Sequence, residues 1–177
     1  MFKFFKKNKI QVDIVYNKIV FLSRNKSLYT KLNLDDTFHN RINLIFLHTC
    51  LLFITLKNKS KNNSFKEWSQ TMFDFIFKSI DINMRELGFS DTTINKNMKS
   101  LTKDFYNILL GLENYQNKTN VYKNSFFSKY IYFKKGIKNA DITQLTLYFN
   151  NYYTFCCDLS LDSVLKEGLI FKYNNFI

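Results

Sequence analysis

Between Ile94 and Tyr115 the residues Ile94, Met98, Leu101, Phe105, Ile108, Leu112 and Tyr115 are separated by steps that alternate between four and three. A helix of 3.6 residues per turn gathers all of them into one narrow seam, whereas a strand would scatter them over both faces. The seam therefore predicts a long helix and requires partner helices to cover it. The same recurrence appears in Val12, Val15, Tyr16, Ile19 and Leu22, and again in Trp68, Met72, Phe75, Ile76, Ile80, Met84 and Leu87.

The spaces between these segments suit helices and little else. With 4 Gly and no Pro in 177 residues the chain is poorly supplied for tight hairpins, but links rich in Asn, Ser and Lys can join helices. The expected fold is all-α: a single-domain bundle of about six helices over residues 10–177, preceded by a basic N-terminal arm at 1–9. A chain of this length buries about two-thirds of its unfolded surface in one core. Its 46% hydrophobic content, with 20 Phe and 11 Tyr, excludes disorder.

Local signals set the boundaries. Thr37 is placed to cap a helix running to about Lys57, apolar nearly all round and so destined for the middle of the bundle. Its apolar run, Leu44 to Leu56, is about 13 residues against the roughly 20 that a membrane span needs. Ser64 and Glu67 form an S-x-x-E capping box opening a helix over about 65–87, which Gly88 stops. Ser90, with Asp91 as the alternative, is expected to cap the seam helix. Val121 to Lys135 is expected as helix ended by Gly136, and Asp141 as the cap of another carrying Ile142, Leu145, Phe149, Tyr152 and Cys156. Short turns are expected around 27–32 and 161–167, and a hydrophobic tail over 169–177.

Chemistry finds few footholds. There is no G-x-S-x-G, P-loop or G-x-G-x-x-G, and neither of the 2 His, His39 and His48, has a metal-ligand spacing such as HExxH. His48 reads as a satisfied core histidine, with heme or metal ligation as the competing reading. Adjacent Cys156 and Cys157 face different directions on a helix and read as packing, with redox activity the alternative. Cys50 lies in an apolar run, and the absence of a CxxC pair fits a reducing compartment. Met1 to Lys9 lacks a signal-peptide h-region, so export is not expected. Asp74 and Asp81, seven apart, read as a solvated face over a carboxylate pair.

The net charge is +12, discounted in part because frequent Lys, Asn, Ile and Phe fit an AT-rich genome. Basic residues cluster at Lys3, Lys6, Lys7 and Lys9, at Lys57, Lys59 and Lys61, and at Lys96, Lys99 and Lys103. The last three form one stripe suited to polyanions, RNA or anionic lipid alike, with simple solubilising charge as the bland reading. The Leu87 to Asp91 junction is not a helix-turn-helix, because the preceding helix is too long and the following one is buried along its seam, so no DNA partner is expected.

Two groups of residues carry a resemblance. The first is Tyr29-Thr30, Asp36-Thr37, Arg41 and Leu47-His48. The second is Met72-Phe73-Asp74, Asp81, Asn83, Met84-Arg85-Glu86-Leu87-Gly88, Asp91, Lys96, Met98-Lys99 and Phe105-Tyr106. In order and spacing the stretch from Tyr16 to Tyr106 resembles the ubiquinol-cytochrome c chaperone family. Asn107 departs from a glycine frequent in relatives, and the chain after Gln116 matches loosely, apart from Gly168 and Phe171. The resemblance implies a non-catalytic assembly factor without cofactor that binds newly made cytochrome b during biogenesis of the cytochrome bc1 complex. It further implies a small helical partner protein, docking near the ribosomal tunnel exit, and a place in the bacterial cytoplasm peripheral to the inner membrane, or the mitochondrial matrix in a eukaryote. The family-motif corner is Asp81, Arg85, Glu86, Gly88 and Asp91. The alternative function is a basic helical module binding anionic membrane or nucleic acid through Lys96, Lys99 and Lys103.

Overall fold

The computed structural model describes residues 2–59, 64–134 and 139–167, with side chains described over 12–59, 64–134 and 139–165. Its elements are α1 (Phe2–Ser23), α2 (Lys26–Thr30), α3 (Phe38–Lys59), α4 (Ser64–Glu86), α5 (Asp91–Gly111), a 3-10 turn (Tyr115–Asn117), α6 (Asn120–Tyr130), α7 (Asn139–Asp158) and α8 (Leu161–Glu167). The all-α bundle holds: the six longer helices are those the periodicity predicts, and α2 and α8 are the expected short turns. Residues 2–9 run on into α1 as helical backbone.

The axis is α3, buried continuously from Ile42 to Leu56. A helix apolar on every side is stable only when surrounded, and α1, α4, α5 and α7 all pack on it. Phe46 carries the contact to both α4 and α5: its ring stacks on Phe77 at 5.6 Å and meets Phe105 edge-on at 5.2 Å. The α5 seam closes over these rings, with Ile94, Leu101, Phe105, Ile108 and Leu112 buried and Met98 partly so. α5 stops at Gly111, so Tyr115 joins the core from the 3-10 turn instead of from the helix.

Thr37 and Ser90 act as the predicted caps, accepting hydrogen bonds from the backbone N–H of Asn40 (3.2 Å) and Thr93 (3.4 Å). Three boundary expectations fail. α6 ends at Tyr130, not near Lys135, because the next residues are extended and bonded across the fold: Asp35 N–H donates to Tyr132 O (3.0 Å) and Lys134 N–H to Asn33 O (2.8 Å). Asn40 completes this staple from α3, its amide nitrogen donating to the Asp35 and Tyr132 carbonyls (2.7 and 2.6 Å) and its oxygen accepting from Tyr132 N–H (2.8 Å). Asp141 is no cap, since α7 already starts at Asn139; it sits buried in the first turn and accepts from Asn33 Nδ2 at 3.3 Å. Leu87 leaves the buried stripe of α4 and is 63% exposed, because the helix has ended at Glu86 and the chain turns there. Gly136, Lys61 and the 169–177 tail lie outside the described residues.

Candidate functional site

The turn between α4 and α5 is built by local code. Gly88 has φ +80, the left-handed conformation that lets Gly88 N–H reach Arg85 O (2.9 Å) and Phe89 N–H reach Met84 O (3.1 Å). Arg85 then ties the two helices, its Nε donating to Asp81 Oδ2 (2.8 Å) and its Nη1 to Asp91 Oδ1 (2.6 Å). These bonds, Asp81's first, push the guanidinium further into its charged range. Asp91, in the first turn of α5, also meets the positive end of that helix. Four of the five predicted corner residues, Asp81, Arg85, Gly88 and Asp91, are thus one connected unit. Arg85 and Asp91 are solvent-exposed and Asp81 is partly so, so the ion pairs position the chain more than they stabilise it. Glu86 is placed differently.

Glu86 and Leu87 face a groove of about 390 Å³ between α1, α3 and α4. Its apolar wall is Tyr16, Val20, Ile42, Ile45 and Ile80, and its charged rim Arg24, Asp36, Arg41 and Glu86. Arg41 grips Asp36 with two bonds, 2.7 and 2.9 Å, which lower the Asp36 pKa. Beside the groove, Tyr29 donates to Ser23 O (2.7 Å), and burial raises its phenol to about 12. A smaller apolar cleft of about 180 Å³ lies between α3, α4 and α5, with Phe53, Phe65, Phe73, Phe105 and Tyr106 in its wall. Both clefts offer apolar surface; neither gathers ionisable groups at its base.

The other candidates resolve individually. His48 is buried with both ring nitrogens engaged, Nδ1 donating to Leu44 O and Nε2 accepting from Tyr148 OH, each at 2.6 Å. Burial lowers its pKa to about 4, and the Leu44 bond offsets only part of that. This is the satisfied core histidine. Burial raises the Cys50 and Cys156 thiols, which suits packing. Asp74 accepts from Gln70 (2.8 Å) while Asp81 serves Arg85, so the two carboxylates are not a pair. No cluster of three or more metal-ligating side chains occurs among the described residues.

Lys96, Lys99 and Lys103 are exposed as expected. Lys57 and Lys59, at the end of α3, are instead engaged. Lys57 pairs with Glu113 at 3.9 Å, and Lys59 donates to the carbonyls of Cys157 and Leu159, capping α7. Sequence reasoning also missed a half-buried knot in which Lys123 Nζ lies 4.1 Å over the Tyr115 ring and donates to Asn150 Oδ1 (3.0 Å), which accepts from Tyr115 OH as well (2.9 Å). Nothing local signals it, since Asn150 comes from α7.

The family model of the ubiquinol-cytochrome C chaperones matches residues 30–123, more than half of the chain. This chain belongs to that family. The matched span holds the whole α4–α5 corner, the α3 and α4 walls of the larger groove and the lysine stripe; the α1 wall, with Tyr16 and Val20, lies before it. The crystal structure of the Cbp3 homolog from Brucella abortus superposes with a TM-score of 0.79 at 22% identity, covering 99% of this chain and 96% of that one, which shows a common fold. Comparison with curated proteins gave no match. No described helix of this family member is long and apolar enough to cross a membrane.

Proposed function

We propose that this ubiquinol-cytochrome C chaperone is a non-catalytic assembly factor that holds newly made cytochrome b while the cytochrome bc1 complex is built. The observation that carries the reading is the family match over residues 30–123. The α1/α3/α4 groove supplies a physical means: its apolar wall suits the side chains of an unassembled helix, and its mixed-charge rim suits the polar ends. The Arg85 tie and the Gly88 turn fix the α4 end of that groove. Lys96, Lys99 and Lys103 face the ribosome near the tunnel exit or anionic lipid, and a small helical partner belongs to the same scheme. The site of action is the bacterial cytoplasm at the inner membrane, or the mitochondrial matrix.

The test is deletion of the gene followed by measurement of cytochrome b by difference spectra, with other respiratory cytochromes as controls. Cytochrome b falls selectively and returns with the wild-type chain. Leu87→Asp, which charges the groove at an exposed position, restores it only weakly. Cytochrome b at normal levels after deletion removes the client from the proposal.

A further inference from the structure

α5 carries a second stripe, opposite its buried seam. At 3.6 residues per turn, Lys96, Lys99, Lys103, Tyr106 and Leu110 fall within about 80° of one another and about 160° round from the seam. All five are exposed, Leu110 at 62%. Over roughly 21 Å of helix the stripe changes from three cations to a tyrosine and a leucine. The apolar end does not stop with α5. Tyr122, in the first turn of α6, is held beside it by donating its hydroxyl to Gly111 O at 3.1 Å. Its neighbour Val121 is 80% exposed, and the Lys118 ammonium lies 4.6 Å over the Tyr122 ring. Two carboxylates near the ends of the helix are already engaged, Asp91 by Arg85 at 2.6 Å and Glu113 by Lys57 at 3.9 Å, which leaves the stripe cationic.

We infer that this face of α5, with the start of α6, lies on the surface of an anionic lipid bilayer. The lysines meet headgroup phosphates, the two tyrosines sit at the water boundary, and Leu110 and Val121 enter the edge of the acyl region. Each part of the stripe has a use there, because interfacial binding adds electrostatic attraction to the burial of apolar and aromatic side chains. A nucleic-acid phosphate backbone would reward the lysines through counterion release but leave Leu110 and Val121 in water. The inference deepens, and rests on, the reading of the basic stripe given above, and it does not require cytochrome b as the client.

The full chain is tested by co-flotation with vesicles of phosphatidylcholine alone and of phosphatidylcholine mixed with phosphatidylglycerol, at about 0.1 M salt where the screening length is about 10 Å. Binding to the mixed vesicles is expected, at least tenfold tighter than to the neutral ones. Replacing Lys96, Lys99 and Lys103 with Gln weakens it about a hundredfold, since each basic residue near an anionic surface is worth roughly fivefold. Leu110→Ser with Val121→Ser weakens it about tenfold by removing apolar contact, and leaves retention on poly(U) unchanged. These positions are exposed, so circular dichroism of each variant matches wild type. Absence of vesicle binding, or vesicle binding indifferent to the Leu110 and Val121 changes, overturns the inference, and retention on poly(U) without vesicle binding marks the stripe as an RNA surface. If the wild-type chain fails on vesicles while gene deletion still lowers cytochrome b, the chaperone reading stands and the membrane contact falls.

Discussion

His48 gives the sharpest quantitative test of the core. Its imidazole is held neutral, with the pKa lowered from an ordinary 6.5 to about 4 by burial. In the unfolded chain it takes up a proton as the pH drops through 6.5, while in the folded chain it does not until the pH nears 4. The unfolded state therefore binds more protons in that window, and stability is full above 6.5 and is lost progressively towards 4. The separation corresponds to about 3 kcal/mol in all, of which about 2 kcal/mol falls between about pH 7 and pH 5. Because the chain has only 2 His, His39→Asn leaves a single imidazole to follow by NMR. Its signals are expected to show no titration near 6.5 in the native state. Urea unfolding of this variant should lose about 2 kcal/mol on going from pH 7 to pH 5. His48→Gln added to His39→Asn starts less stable, having lost the bonds to Leu44 and Tyr148, but its profile over the same window is flatter by that amount. Comparing the two slopes cancels the carboxylates, which are common to both. A native-state midpoint near 6.5, or parallel slopes, would refute the account of a dry, doubly bonded imidazole.

Three further substitutions probe the joints. A methyl at Gly111 would run into the Phe126 ring, itself wedged against Tyr122 and Tyr130. The overpacking cost of about 1–3 kcal/mol exceeds the helix-propensity gain of up to about 1 kcal/mol, so Gly111→Ala lowers stability in urea, and Phe126→Leu in the same chain recovers part of it. Asn40→Ala removes three hydrogen bonds from the 131–134 staple and should cost about 3 kcal/mol, with hydrogen exchange of the Tyr132 amide rising more than that of α5. Gly88→Ala meets no atom within 4 Å, so its cost is the φ of +80 alone, about 1 kcal/mol by thermal melting, and Gly88→Asn costs less because Asn tolerates that conformation better.

What was legible in the sequence was what is encoded within a turn or two of helix. The α5 seam, the Thr37 and Ser90 caps and the Gly88 stop each depend on residues at most a few positions apart, and each forms. Leu87 shows the limit of that logic: its spacing continues the α4 stripe, but periodicity says nothing once the helix has ended one residue earlier. The failures elsewhere share a cause of another kind. α6 stops at Tyr130 because Asn40, far earlier in the chain, offers the next residues a strand-like partner. Lys59 read as part of a basic patch because the carbonyls at the end of α7 that bind it lie about a hundred residues away. A charge or an amide counted on one helix reveals its role only when the neighbouring helix is placed.

The same distinction sorts the candidate site. Asp81, Arg85, Gly88 and Asp91 are recognisable as a motif because they are close in sequence, and for that reason their work is local: they stop one helix, start the next and tie the two. A surface that grips a client must instead be assembled from several elements, and the groove is, with Tyr16 and Val20 from α1, Ile42 and Ile45 from α3 and Ile80 from α4. The motif therefore marks where the groove ends without containing most of the residues that line it. Glu86 and Leu87 belong to both, the one charged and the other apolar, which makes them the places where the family signature and the groove coincide. The exposed stripe of α5 follows the reverse pattern. Its lysines were visible as charge, but Tyr106, Leu110 and Val121 gained meaning only when the seam was seen to be buried and these residues were left in the open.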